Sequence, residues 1–422
     1  MENIYYLLNP WWEGRAYDSG RRREEYLKRL LPTVSRRQVE ILIGSRRVGK
    51  TTLLRQVISD LIASGIPPNE ICYLALDHPA FSATTIADHL KLFRKLFSHS
   101  RDKRLYLFLD EVQDIPDWEK ELKAIYDTEQ VKIFCSGSTS ALIARQGGKL
   151  TGRQIVTTVF PLSFSEFLDF RDDRPSLSED YRYESLVNEY LVTGGYPEQV
   201  ISPSLEYLPN LLDDILARDL IRLFPIKKPH VLKDLLRLIA SSVGSRTSYN
   251  RLAKLLGLSL DTVKEYIGYL ESAFVILPLA KWTTSHSERV YAQRKLYLWD
   301  LGMKTVFTGK GDEGARAENA VFMALRRCGR ETGYYAESEL EVDFVLNEAS
   351  EPLPLEVKMI DAVDPRDKRL SGLKMFLRRF PGARRSLLVT RTATACTDFH
   401  GVPLDAVPLW RFLLDPVKYI EV

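Results

Sequence analysis

Cysteine is scarce: Cys72, Cys135, Cys328 and Cys396 are the four in 422 residues, far apart and with no CxxC pair. That argues against a disulfide framework or a cysteine-based zinc site. Cys72 and Cys135, inside apolar strand-like runs, read as buried free thiols suited to a reducing cytoplasm. No apolar run reaches the ~18 residues that a membrane-spanning helix needs. The opening MENIYYLLNPWW has no basic stretch before an apolar core, so no signal peptide is expected. Internal repeats and long low-complexity stretches are missing too. Nor does one sign of charge prevail, since 59 Lys and Arg against 56 Asp and Glu leave +3. Any nucleic-acid footprint must therefore be local.

What is present is ordinary globular material, 45% apolar and 27% charged, long enough for two to four domains. Asn9–Trp12 (NPWW) and the charged RRREEYLKRLL after it read as a segment packed onto a domain. QVEILIGSRRVGKTTLLRQVISDLIASG then reads as strand, Gly-rich turn and helix, with Leu53, Leu54, Val57, Ile58, Leu61 and Ile62 at helical period. Three more continuous apolar runs follow, ICYLALD (71–77), LYLFLD (105–110) and VKIFCSG (131–137). Helical patterns separate them, so they predict strands buried on both faces of a parallel sheet. The expected fold class is α/β.

GSRRVGKT fills the phosphate-loop template G-x-x-x-x-G-K-[ST] at Gly44, Gly49, Lys50 and Thr51. Backbone N–H groups of Gly44, Ser45, Arg46, Arg47, Val48, Gly49, Lys50, Thr51 and Thr52 would cradle phosphate at a helix N-terminus. Lys50 would reach the β- and γ-phosphates of ATP, and the Thr51 hydroxyl would bind Mg²⁺. LYLFLDE delivers Asp110 as a second holder of the metal and Glu111 to orient or deprotonate the attacking water. VKIFCSGSTS ends in small polar residues at a strand C-terminus, making Ser136 and Ser138 candidates to sense the γ-phosphate; a plain turn is the alternative. Arg153, in the Gly-flanked LTGRQ, could be a finger for a neighbouring subunit's ATP, and spacing alone leaves a surface arginine without that role as the equal alternative.

GSRRVGKTTLL, LYLFLDEVQDIPDWEKELKAIYD, CSGSTSALI, LTGRQIVTTVFPLSFSEF and GGYPEQV (194–200) together resemble the archaeal and bacterial AAA+ ATPases with a winged helix and a C-terminal PD-(D/E)xK domain of the DUF4143 type. The resemblance runs from Trp12 to PLWRFLL near the C-terminus. It implies an additional strand in the core sheet, a helical lid, a winged helix and a restriction-endonuclease-like domain. It also implies Arg153 as the finger and Gln113 as part of the hydrolytic site. The lid arginine that senses ATP has no motif of its own; Arg218, in ILARDLIRL, is the candidate.

SYNRLAKLLGLSLDTVKEYIGYLESAF is laid out as a helix-turn-helix, with helices at about 248–256 and from 260 onward, and FVILPLAKW as wing strands. Lys227 to Lys281 holds nine Lys or Arg against four Asp or Glu. That suits phosphate contacts on DNA with the second helix in the major groove and Lys254, Thr262 and Lys264 exposed; a protein-docking or lid role is the alternative.

In the C-terminal part Glu318 lies in a helix pattern (ARAENAVFMAL), Asp343 in the strand pattern EVDFVL, and Glu356 and Lys358 in LPLEVKM. Asp343 followed thirteen residues on by E-V-K fits the PD-(D/E)xK nuclease pattern, although Val342 stands where proline is usual. Positions 356 and 358 of a strand share a face. Glu318, Asp343 and Glu356 are thus candidate ligands for Mg²⁺ or Mn²⁺, with Lys358 beside the attacked phosphate. The expectation is an AAA+ ATPase core (1–165), a helical lid (166–235), a winged helix (236–289) and a nuclease-like α/β domain (290–422). This would be a homo-oligomer with no membrane segment, coupling ATP turnover to DNA translocation or remodelling and metal-dependent cleavage. The rivals are a DNA-binding ATPase without cleavage and a regulatory switch whose nuclease-like domain is an inactive scaffold.

Overall fold

The computed structural model describes residues 2–138, 150 and 152–421. Residues 139–143 of CSGSTSALI and Thr151 of LTGRQ lie outside them. The chain forms two compact units, 1–159 and 160–422.

The first unit is built on five strands, β1 (Val39–Ile43), β2 (Ile71–Ala75), β3 (Leu105–Asp110), β4 (Val131–Gly137) and β5 (Gln154–Thr158). All pair in parallel in the order β2-β3-β4-β1-β5. The four predicted strands are there, and β5 is the additional one. β1, β3 and β4 are buried at every position, as continuous apolar runs with helices on both faces require. Phe108 and Phe134 are register partners on β3 and β4, and their rings stack 5.0 Å apart. The helix Lys50–Ala63 buries Leu53, Leu54, Val57, Ile58 and Leu61; each contributes about 1.5–3 kcal/mol.

The edge strand β2 would expose unpaired backbone groups. Asn9 covers it: its amide donates to the Tyr73 carbonyl at 2.9 Å and accepts from the Tyr73 N–H at 2.7 Å. The Trp12 indole donates to Ile71 O at 2.8 Å. NPWW packs onto the domain as expected.

The second unit opens with helices Phe164–Phe170, Arg182–Thr193 and Tyr207–Asp214, the last continuing as a π-helix through Ile215–Ile221. After the helix Pro229–Ser241 come β6 (Arg246–Thr247), the helices Tyr249–Leu256 and Leu260–Ser272, β7 (Ile276–Leu279) and β8 (Arg294–Leu298). The three strands form a small antiparallel sheet in the order β6-β8-β7. The two helices fall where the helix-turn-helix layout put them. The segment RKLYLWD, inside the range expected for the last domain (290–422), forms β8 and joins this small sheet, pairing along its length with β7.

A six-stranded mixed sheet follows: β9 (Thr332–Glu337), β10 (Leu340–Leu346), β11 (Leu353–Lys358), β12 (Ser386–Thr390), β13 (Ala395–Phe399) and β14 (Val402–Pro408), ordered β13-β14-β12-β11-β10-β9. Val342, Val345, Leu373, Phe376, Leu388 and Leu404 form its core with the helix Ser371–Arg379.

The helices expected to form a separate lid are tied into this unit. Asp300 accepts from the N–H groups of Gly195 at 2.7 Å and Gly302 at 2.9 Å. Thr305 donates to Val192 O at 2.7 Å, and Lys304 to Ala240 O at 2.9 Å. The expected boundaries near 235 and 289 both fall inside the second unit, 160–422. The GGY of GGYPEQV has a steric reason, since a Cβ on Gly194 would lie 2.1 Å from an Asp300 oxygen.

Candidate active site

The loop after β1 ends at the helix Lys50–Ala63, whose N-cap is Gly49. Gly49 has φ +99°, a conformation that side chains avoid. Gly44 is demanded by close approach, because a Cβ there would lie 2.3 Å from Val159 O at the end of β5. Ser45 and Val48 are buried, Arg46, Gly49 and Thr52 half-buried, and Arg47 is exposed with φ +60°. The Lys50 ammonium is buried and donates to the carbonyls of Gly44 and Ser45, each at 3.0 Å.

Asp110, at the end of β3, is buried and organises the site. One oxygen accepts from Thr51 Oγ1 at 2.6 Å and from the Tyr73 hydroxyl at 2.8 Å. The other accepts from Ser136 Oγ. Ser136 in turn accepts from the Glu111 N–H at 3.1 Å. One serine at the end of β4 therefore fixes both acidic residues. Glu111 has φ +52°, a left-handed conformation costing about 1–2 kcal/mol, which turns its carboxylate away from the strand line. The Gln113 side-chain amide donates to that carboxylate, and its own oxygen is buried with no partner among the described residues. Ser138 is buried just beyond β4.

Three contributors were not legible as such. Tyr73 sits mid-strand and reads as core. Arg23, buried before the loop, donates to the Val48 carbonyl at 3.0 Å and holds the loop from outside. Asp77 closes ICYLALD as Asp110 closes LYLFLD, and that parallel is the signal that could have found it. Burial raises its carboxyl above the usual range, helped by the charges of Glu111, Asp110 and Asp114.

Arg153 is not at this site. Its carbonyl accepts from Val39 N–H at the opposite end of β1, a strand length of about 13 Å away. Its guanidinium pairs with Asp127 at 3.2 Å and lies over Tyr126. It lies in the turn just before the edge strand β5, away from the phosphate loop of its own chain. Arg218 is exposed and 3.7 Å from Asp214.

Thr51 and Asp110 offer converging oxygens at the loop, the donor chemistry that suits Mg²⁺ accompanying a nucleotide. The C-terminal set behaves differently. Asp343, Glu356 and Lys358 do converge: Lys358 Nζ is 3.0 Å from Asp343 and 2.7 Å from Glu356, and Val357 N–H donates to Asp343 at 3.0 Å. A second ammonium lies among them. Lys295 Nζ is 2.9 Å from Glu318, 2.5 Å from Glu341 and 3.4 Å from Asp343, and the Tyr297 hydroxyl donates to Glu318 at 2.6 Å. Burial and the Asp343 charge push Glu318 up to about 7. Burial raises Asp343 too, but Lys358 and Lys295 outweigh it and hold that carboxyl below its usual range. Glu318, Asp343 and Glu356 were expected to share a metal ion. Both Asp343 oxygens and one oxygen each of Glu318 and Glu356 are paired with lysines instead, and no three His, Cys, Asp or Glu groups among the described residues are placed to hold one.

The small module keeps less basic surface than its count suggested. Lys233, Arg237, Arg246, Lys264 and Lys281 are engaged by acidic neighbours. Lys254 and Lys264 are exposed as expected and Thr262 is half-buried, but Asp261 and Glu265 share the exposed face with Lys264. All four cysteines are free. Among the described residues no helix is long and apolar enough to cross a membrane.

Residues 36–168 match the model of an AAA domain, and residues 184–314 that of a domain of unknown function, DUF8612. An uncharacterized protein of Haemophilus influenzae is 27% identical over 347 residues, 79% of this chain and 86% of that protein. One from Methanocaldococcus jannaschii is 27% identical over 332 residues, 73% of this chain and 72% of its own length. Among solved structures, the replication initiator DnaA bound to AMPPCP and single-stranded DNA gives TM-score 0.27 at 18% identity, covering 63% of this chain and 93% of that one. Drosophila ORC bound to AT-rich DNA and Cdc6 gives 0.24 at 8%, covering 70% and 90%. Superpositions that shallow add nothing to the geometry. The segment 36–168, which carries the phosphate loop and the carboxylates of β3, matches the AAA domain.

Proposed function

We propose that the protein hydrolyses ATP at the loop Gly44–Thr52, between subunits of a homo-oligomer, and uses the turnover to remodel or move along DNA. The observation that carries the reading is the chain Thr51–Asp110–Ser136–Glu111–Gln113 at the C-terminal ends of parallel strands. Lys50 exchanges two loop carbonyls for the β- and γ-phosphate oxygens. Thr51 and Asp110 would hold Mg²⁺, which draws charge from the phosphates when bound. Glu111, held by Gln113, accepts a proton from the attacking water. Ser138 contacts the γ-phosphate side. Arg153 of a neighbouring subunit supplies positive charge to the transferring phosphoryl group.

The DNA part of the reading rests on the module 229–298, whose first three helices and three strands fit a winged helix, with a further short helix, His286–Tyr291, between β7 and β8. Lys227 and Lys228 just before it, and Arg251 and Lys254 within it, are exposed and carry no ion pair among the described residues. They are the proposed phosphate contacts, in place of the second helix. A second reading, a regulatory switch docking a protein partner, is favoured by the acidic residues on that second helix. DNA-stimulated ATP turnover decides between them. The DNA reading expects stimulation that is lost in Lys50→Ala, and a salt dependence of binding reduced by about two contacts in the double variant Arg251→Ala, Lys254→Ala. No stimulation by linear, branched or single-stranded DNA would leave the switch.

A further inference from the structure

Lys295 is fully buried on β8, a strand of the small sheet. Its ammonium has three protons and faces three carboxylates: Glu318 from the helix Glu313–Arg327, and Glu341 and Asp343 from β10. Tyr297 stands two residues along β8, on the same face, and binds the same Glu318 oxygen. Four carboxylates, with Glu356, surround two ammonium groups. A buried charge left unpaired would cost several kcal/mol, so these groups depend on one another.

We propose that Lys295 is the resident cation of this cluster, its ammonium standing where a nuclease centre would hold a divalent metal, so that the domain binds no catalytic metal. Oxygens that converge from three directions on one buried nitrogen make a cation site already filled. Mg²⁺ needs near-octahedral oxygens at about 2.0–2.1 Å, and the ammonium holds those oxygens at nitrogen distances instead. The Glu356 oxygen that lacks a partner among the described residues is a single donor, too few to seat a metal alone. Lys295 instead uses the charge of the cluster to clamp β8 of the small sheet onto β10 of the large one. The inference is independent of the ATPase reading, because it concerns residues of the other unit.

The test is Mn²⁺ binding to the nucleotide-free full chain, followed by electron paramagnetic resonance, with Asp110→Asn as background to remove the phosphate-loop site. The wild-type cluster takes up no Mn²⁺. Lys295→Ala gains one Mn²⁺ per chain, bound at least tenfold tighter than any wild-type ion, and Lys295→Ala with Asp343→Asn loses it. Wild-type binding that Asp343→Asn abolishes would overturn the proposal. So would a folded Lys295→Ala that gains no ion. If Lys295→Ala is too unstable to isolate at rest, its melting temperature decides. Mn²⁺ raises it in the variant and not in wild type if the lysine stands in for the metal, and in neither if it does not.

Discussion

Replacing Ser136 with alanine removes one oxygen that serves two acidic residues. Asp110 loses a donor to one of its oxygens, and the Glu111 N–H loses its acceptor. Both groups lie at the buried end of β3. Each buried polar group left without a partner costs about 1–3 kcal/mol, and water entering the small cavity recovers part, so the pair is worth about 2–4 kcal/mol. Amide hydrogen exchange reads this locally, without assuming that two units unfold together. Protection of the β3 and β4 amides should fall by about 30- to 1,000-fold, the same free energy at 1.36 kcal/mol per decade. ATP turnover should drop at least tenfold, because Glu111 loses the contact that sets its backbone. Exchange within about threefold of wild type, with turnover unchanged, would refute the claim that this serine holds the carboxylate pair in place.

Gln113→Ala frees the Glu111 carboxylate, so kcat should fall on the order of tenfold with ATP affinity unchanged; an equal loss in affinity would mean that the glutamine binds nucleotide instead. Asn9→Ala strips the Tyr73 N–H and carbonyl of their partners at the sheet edge, and should cost about 2–3 kcal/mol in the first unit, measured by exchange at β2. Glu318 is raised to about 7 from an ordinary value of 4.5. The folded state therefore favours the proton: the stability it contributes is complete below pH 4.5 and is lost as pH rises through 7. Melting of the second unit should fall between about pH 5 and 8 and flatten in Glu318→Gln; a melting temperature that rises across that window would contradict the assignment.

The parallel sheet was legible because β1 to β4 are continuous apolar runs, and burial on both faces leaves that mark. β5 is a half-exposed edge strand, QIVTT, whose mixed pattern gives no such mark; only the resemblance implied it. The phosphate loop and Asp110 carry chemistry that constrains spacing, so they could be found from residues alone. Tyr73 and Arg23 could not, since a tyrosine in a strand and an arginine in a charged helix pattern have bland readings until the fold brings them to the loop. Lys295 shows the same limit. RKLYLWD marks a strand, but which sheet it joins, and that its lysine meets Glu318, Glu341 and Asp343, depends on pairing between segments far apart in the chain. The E-V-K pattern reported local geometry correctly and was silent about the second ammonium.

Mixing two inactive variants tests the shared ATP site most directly. In the proposed site Arg153→Ala would lack the finger, and Glu111→Gln the residue that takes the proton from water. Each alone should turn over ATP at least a hundredfold more slowly than wild type. Mixed in equal amounts, they should recover about a quarter of wild-type turnover, because a quarter of randomly formed interfaces join an intact Glu111 to a neighbour's intact Arg153. A mixture no more active than its two components, or an Arg153→Ala protein as active as wild type, would contradict a site completed by a second subunit.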